Sequence, residues 1–218
     1  MNFAIGIPTI NRGQDLLLAS LMAYAFFDFP DTDIYIIDNG KQGLAEELDK
    51  VNKSFIQREK IHVIVEENNI GVAASWNKLC RIIYEKYDNA LILNDDVYLG
   101  YNDMDVDKFI SENKSGFMQA NSTWSAFLIN KSVFNKVGDF DEGFYPAYFE
   151  DNDYVYRMKL AKVVIKKNMK MMPKNMKHSS SIAKDPSLNK DFLKLKKRYI
   201  DKWGGEPERE KYKTPFNL

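Results

Sequence analysis

The apolar run Ala90-Leu91-Ile92-Leu93 ends in Asn94-Asp95-Asp96. Two adjacent carboxylates repel each other unless a cation or hydrogen-bond donors stabilise them. A hard divalent ion completed by phosphate oxygens is one use of such a pair; a turn or helix cap is the other. The richest stretch is Gly138 to Asp153, GDFDEGFYPAYFEDND, where acids and aromatics interleave in a Gly- and Pro-containing loop. That mixture makes poor core and poor solvent-exposed surface, and it suits the wall of a polar pocket that stacks on flat ligands. Glu150 and Asp151 begin a helix there, a place that favours acids through capping and the macrodipole in any case. Asp153 and Arg157, spaced i, i+4 with the acid first, read as a structural ion pair. His178 follows a lysine-rich run and is either structural or a ligand; His62, inside an apolar run, reads as structural.

These groups need elements to position them. Phe3–Ile7, Ile34–Ile37, Ile61–Val65 and Ala90–Leu93 are short and apolar on both faces, as buried parallel strands are. Their ends are polar or turn-forming: Pro8-Thr9-Ile10-Asn11-Arg12, Asp38-Asn39-Gly40, Glu66 to Gly71, and Asn94-Asp95-Asp96. Helices are expected between them at Asp15–Phe26, along Leu44, Leu48, Val51 and Phe55, and along Trp76, Leu79, Cys80, Ile83, Tyr84 and Tyr87. This order predicts an α/β fold whose central sheet is mostly parallel, with ligands at the carboxyl ends of the strands. Further strands are expected at Gly116–Gln119, Thr123–Ile129 and Val163–Lys166. A last helix carries Phe192, Leu195, Tyr199 and Trp203 on one side, and the polar tail from Gly204 is expected to be loosely held. No GxxxxGK[ST] occurs, and no GxGxxG follows the first strand.

The 218 residues, 44% of them apolar, suffice for one large domain. Thirty-one basic and 31 acidic side chains cancel, which argues against nucleic acid or an anionic membrane as a partner. The charges nevertheless segregate. Asp88 to Asp107 holds six acids and no base, while Lys159 to Lys177 holds seven lysines and no acid. They are either two solvated faces or the walls of a site that needs a cation on one side and an anion on the other. The single cysteine, Cys80, excludes a disulfide framework and suits a reducing compartment. With no transmembrane segment or signal peptide evident, the expectation is a soluble cytoplasmic protein.

In their order along the chain, several of these motifs resemble the family 2 glycosyltransferases of the GT-A fold. Ile5 to Arg12 is similar to that family's opening strand and loop, Ile36-Ile37-Asp38-Asn39-Gly40 to its second-strand signature, and Asn68 to Gly71 with Asn77 to its Asn-x-Gly…Asn stretch. Asn94-Asp95-Asp96 stands where its DxD motif stands, and Gly138 to Arg157 follows its G-x-F-D-E-x-F…E-D-x-D…R pattern. The resemblance covers about residues 3 to 181. It implies a single GT-A domain, Rossmann-like in its nucleotide-sugar-binding half (1–98), with an acceptor and catalytic half (99–203) and a tail (204–218). It further implies a metal-dependent, inverting transfer of a sugar from a nucleotide diphosphate sugar, UDP-sugar favoured, to a hydroxyl acceptor such as a glycan.

Carried over residue by residue, the resemblance places Asp38 at the base or ribose, and Pro8, Thr9, Asn11, Arg12, Asn69, Gly71, Asn77, Asn94 and Asp95 around the donor. Asp96 and His178 become ligands of Mn²⁺ or Mg²⁺, and Asp151 the general base. Trp124, Tyr145, Tyr148 and Glu150 become acceptor walls, and Lys174 or Lys177 a diphosphate contact. Asn94 replaces the first acid of the DxD pattern, and Asn39-Gly40-Lys41 departs from the family's commoner residues. Two other readings compete. A nucleotidyltransferase of similar fold usually carries a Gly-rich, basic loop after its first strand, whereas Pro8 to Gln14 has one Gly and one Arg. A non-catalytic module would bind carbohydrate or nucleotide sugar without turnover.

Overall fold

The computed structural model describes residues 3–10, 32–50, 58–95, 116–120, 124–168 and 190–218. The expected helix at Asp15–Phe26 lies outside them, as do Asn11, Arg12, Val51, Phe55, Asp96, Lys174, Lys177 and His178. In chain order the described strands are β1 (Phe3–Thr9), β2 (Ile34–Asn39), β3 (Ile61–Glu66), β4 (Asn89–Leu93), β5 (Phe117–Ala120), β6 (Ala126–Asn130) and β7 (Ile165–Asn168). The helices are α1 (Leu44–Lys50), α2 (Val72–Ile83), α3 (Lys131–Val137), α4 (Glu150–Leu160) and α5 (Phe192–Trp203).

The strands form one sheet in the order β3-β2-β1-β4-β6-β5-β7. β3, β2, β1 and β4 are mutually parallel. β6 runs antiparallel to β4 and to β5, and β7 is parallel to β5. Six strands therefore share one direction and β6 alone opposes it. The chain moves outward from β1 to β2 to β3, then returns by way of α2 to place β4 on the other side of β1. The strand order reverses at the β1/β4 boundary, where such sheets open a crevice beyond the strands' carboxyl ends.

Packing follows from the residue types. All five residues of β4 and all five of β6 are buried, as strands covered on both faces must be. The α2 stripe lies against the sheet, with Trp76, Leu79, Cys80 and Ile83 in one cluster with Ile92, Phe127, Phe140 and Tyr154. Gly6 permits that approach: a Cβ there would stand 2.8 Å from Ile92 Cδ1 and 3.3 Å from Leu79 Cβ. Each fully buried Leu, Ile or Phe here contributes about 1.5–3 kcal/mol. A second cluster joins Phe144, Phe149 and Tyr156 to Leu195, Tyr199 and Trp203 of α5.

Two sequence expectations change. The α3 helix was not anticipated; Asn130 caps it, its Oδ1 accepting from Ser132 N at 2.9 Å. The tail is not loosely held. Lys211 N and Tyr212 N donate to Trp203 O at 2.9 and 3.0 Å, and Tyr199 Oη donates to Glu210 Oε1 at 2.5 Å. Tyr156 Oη donates to Tyr212 O at 2.8 Å. Polar composition concealed a segment held by its backbone and by Tyr212, whose ring lies against Gly204.

Candidate functional site

At the β1/β4 boundary the last residue of β1 meets the first residues past β4. Thr9 is buried, and its Oγ1 donates to Asp95 Oδ2 at 2.8 Å. Asn94 N donates to Ser125 O at 2.8 Å, which fixes the backbone leading into Asp95. The acid pair at the strand end thus begins with one carboxylate oriented by a hydroxyl from the neighbouring strand. Pro8 and Thr9 sit in register with Ile37 and Asp38 of β2.

Asp38 is fully buried and has a local task. Its Oδ1 accepts from Gln42 N and Gln42 Nε2, each at 3.0 Å, and its Oδ2 from Leu44 N at 3.3 Å. Gln42 Nε2 also reaches Thr9 O at 3.2 Å, so Asp38 organises the turn that begins α1. Asn39 ties that turn to the next one: its Nδ2 donates to Ser75 Oγ at 3.1 Å and its Oδ1 accepts from Ile70 N at 3.1 Å. Residue types at the strand end gave no sign of this bracing by Gln42, Asn39 and Ser75.

The β3–α2 connection receives the loop from Gly138 to Phe149. Asn69 Oδ1 accepts from Gly71 N at 2.9 Å, and Tyr145 Oη donates to Asn69 O at 3.1 Å. Val72 N donates to Pro146 O at 2.9 Å. Gly71 has φ 85°, and a Cβ there would lie 2.9 Å from Tyr145 Cδ2, so both backbone conformation and contact call for glycine. Asn77, expected beside the donor, is committed elsewhere. It is fully buried, and its amide clamps Phe140 through Nδ2 to O at 2.9 Å and N to Oδ1 at 2.8 Å, with a further bond to Glu142 Oε1 at 2.9 Å. Its role in this structure is to hold the loop. Trp124, expected as an acceptor wall, packs its ring against Trp76, Phe117, Phe127, Phe140 and Tyr154 as part of the aromatic core.

The loop delivers the acidic pair. Tyr148 and Phe149 have φ of 87° and 71°, consecutive left-handed residues of a kind that only surrounding structure can impose. They turn the chain into α4, whose first turn holds Glu150, Asp151 and Asp153. Glu150 is buried, and its Oε2 has no hydrogen-bond partner among the described residues. Burial, and then the charge of Asp151, push the Glu150 carboxyl up to about 8. Burial also raises Asp151, against the pull of the Asn152 N–H, which donates to its Oδ1 at 2.7 Å. At neutral pH Glu150 therefore keeps its proton. Tyr145, half exposed, and the partly buried Tyr148 flank this turn.

Residues 4–103 match the family model described as Glycosyl transferase family 2. This segment is thus similar to the family 2 glycosyltransferases. Across the wider chain the fold is GT-A. The chain is similar to the mannosyltransferase PcManGT of Pyrobaculum calidifontis, solved with GDP-Man and Mn²⁺, at TM-score 0.68 and 10% identity over 95% of this chain and 66% of that one. It is similar to GalNAc-T7, solved with UDP, GalNAc and Mn²⁺, at TM-score 0.68 and 13% identity over 95% and 49%. It is similar to TarS of S. aureus at TM-score 0.58 and 14% identity over 77% and 58%. The chain thus spans between about half and two thirds of these structures. No curated protein matches its sequence.

Of the residues assigned from the sequence, the described part of the domain brings together Thr9, Asp38 and Asp95 at one strand edge, and Asn69, Gly71 and Tyr145 at the next. Glu150 and Asp151 follow in the same loop-and-helix unit. Among the described residues no three His, Cys, Asp or Glu side chains cluster as a metal site; Asp96 and His178 lie beyond those residues. No described helix is long and apolar enough to cross a membrane.

Proposed function

We propose that the domain is a metal-dependent, inverting glycosyltransferase that moves a sugar from a nucleotide diphosphate sugar, UDP-sugar favoured, to a hydroxyl acceptor such as a glycan. The observation that carries this reading is the Glu150–Asp151 pair: two adjacent buried acids whose carboxyls burial pushes up, at a helix start reached through two left-handed residues. An acceptor hydroxyl, whose pKa lies far above neutral, must lose its proton as it attacks. Asp151 takes that proton, a contribution of about 10²- to 10⁴-fold. A single base with in-line attack inverts the anomeric carbon.

Asp96 and His178 would hold Mn²⁺ or Mg²⁺, with Asp95 beside them on the donor side, where the Thr9 bond already orients it. When bound, the ion supplies Lewis-acid stabilisation of the charge that builds on the leaving diphosphate. The Mn²⁺ and nucleotide ligands of PcManGT and GalNAc-T7 support this assignment. Asp38, Thr9 and Pro8, with Asn11 and Arg12, form the nucleotide side; Asn69 and Gly71 line the donor next to it. Tyr145 and Tyr148 offer ring faces to an acceptor.

The test is release of nucleoside diphosphate from a panel of UDP-, GDP- and dTDP-sugars with Mn²⁺. Slow donor hydrolysis without acceptor, abolished by EDTA, is expected. Binding without release, with acceptors present, overturns the assignment in favour of a binding module.

A further inference from the structure

The α5 helix lies outside the segment matched to the family, yet it sends a cation into the unit that carries Asp151. Lys202 is buried. Its Nζ stands 2.7 Å from Asp141 Oδ2, in the loop, and 2.6 Å from Asp153 Oδ1, in the first turn of α4. Each carboxylate is further held. Asp141 takes Arg198 at 3.1 Å and Gly143 N at 2.8 Å. Asp153 takes Trp203 Nε1 and Arg157 Nε, each at 2.8 Å. The residues between these two acids include Tyr148 and Phe149, whose left-handed turn aims Glu150 and Asp151.

We propose that Lys202 is a positioning residue for the Asp151 base, an inference that rests on the glycosyltransferase reading above. It joins the two ends of the strained loop through one charge. Without it, two carboxylates that face a common cation would face each other, and their repulsion in a poorly solvated site would push the loop and the helix start apart. The left-handed turn between them persists only while its surroundings over-determine it, so it would relax and carry Asp151 with it. A displacement of about 1 Å at a reacting group costs about 10²-fold in rate. The donor pocket, braced separately by Thr9, Asp38 and Asn39, would be left as it is.

The experiment compares wild type with K202M, which keeps most of the side-chain volume and removes the charge. Turnover is measured as nucleoside diphosphate release from the nucleotide sugar that the panel identifies. Binding of that nucleoside diphosphate with Mn²⁺ is titrated by calorimetry, and kcat is counted per binding site so that unfolded molecules do not enter. A fall in kcat of about tenfold or more, with Kd within about twofold, is expected. The double variant K202M/D141N, which removes one of the opposed charges, is expected to recover at least about threefold of that loss. Should K202M fail to fold, D141N alone decides, with a loss of a few-fold in kcat at unchanged Kd. An unchanged kcat, or a Kd that weakens in step with kcat, overturns the role. Absence of any turnover by wild type overturns the glycosyltransferase reading, and this inference with it.

Discussion

Two buried acids at different places in the fold are treated in opposite ways. Asp33 precedes β2 at the amino ends of the strands, where it accepts from Lys86 Nζ at 2.7 Å and Tyr87 Oη at 2.5 Å, with Lys60 and His62 at 3.8 and 3.6 Å. Burial would raise its carboxyl, but Lys86 and Tyr87 outweigh burial and hold it at about 2. Glu150 has no cation within reach among its described contacts and is pushed up to about 8. The same contrast recurs within a single helical turn. Asp153 is locked by Lys202, Arg157 and Trp203, whereas among the described residues Asp151 is held by its own and the next backbone N–H. Asp33 and Asp153, which tie elements of the fold together, have cations beside them, whereas no ion pair forms at Glu150 or Asp151 among the described residues.

Breaking the site side of this contrast has the largest effect. Asp151→Asn removes the proposed proton acceptor and leaves the shape, so donor binding is expected to stay at the wild-type level while transfer falls by about 10²- to 10⁴-fold. Titration of nucleoside diphosphate and measurement of its release check both halves; transfer at the wild-type rate eliminates Asp151 as the base. Glu150→Gln sharpens the comparison through stability. The folded state holds the Glu150 proton up to about 8, whereas the unfolded chain releases it near the ordinary Glu value of about 4.3. The unfolded state therefore binds fewer protons across that window, and stability falls as pH rises through it. Replacing Glu150 by a neutral isostere removes the penalty. Thermal melts are expected to rise by a few degrees for E150Q at pH 8 and to differ little at pH 4.5. An equal shift at both values would mean that the side chain is not held neutral.

Much of this arrangement was readable before any coordinates. Strands apolar on both faces announced β1 to β4, the Trp76 to Ile83 stripe announced α2, and the spacing of Asp153 and Arg157 announced a structural pair. What stayed hidden depends on distant partners. Nothing in Asn77 reveals that its amide is spent on Phe140, sixty-three positions away. Lys202 was concealed because the last helix was read by its apolar residues alone, although a position three residues after Tyr199 lies on the same face as that stripe. What the sequence could not show is that Asp141 and Asp153 lie there to pair with its charge. The α3 helix is too short for periodicity to speak, although Asn130 at its start carried a capping signal. The turn made by Tyr148 and Phe149 has no local signature at all, since neither residue favours a left-handed backbone.

The smallest expected effect comes from the amino-end acid. Asp33 is ionised in the folded protein down to about 2, while in the unfolded chain it takes up a proton near the ordinary Asp value of about 3.9. Its contribution is thus present above that value and is lost as pH falls from there through about 2, because the unfolded state binds more protons in the window. Lys86, its strongest partner, is 63% exposed, so solvent screening reduces the contribution to about 1 kcal/mol. Asp33→Asn keeps the shape and removes the charge. Urea titrations at pH 7 are expected to show a loss of about that size, and the loss should shrink steadily between pH 4 and pH 2 while turnover at neutral pH stays unchanged. A loss that persists at pH 2 would mean that Asp33 acts through packing, and the contrast with Glu150 would then no longer be one of charge.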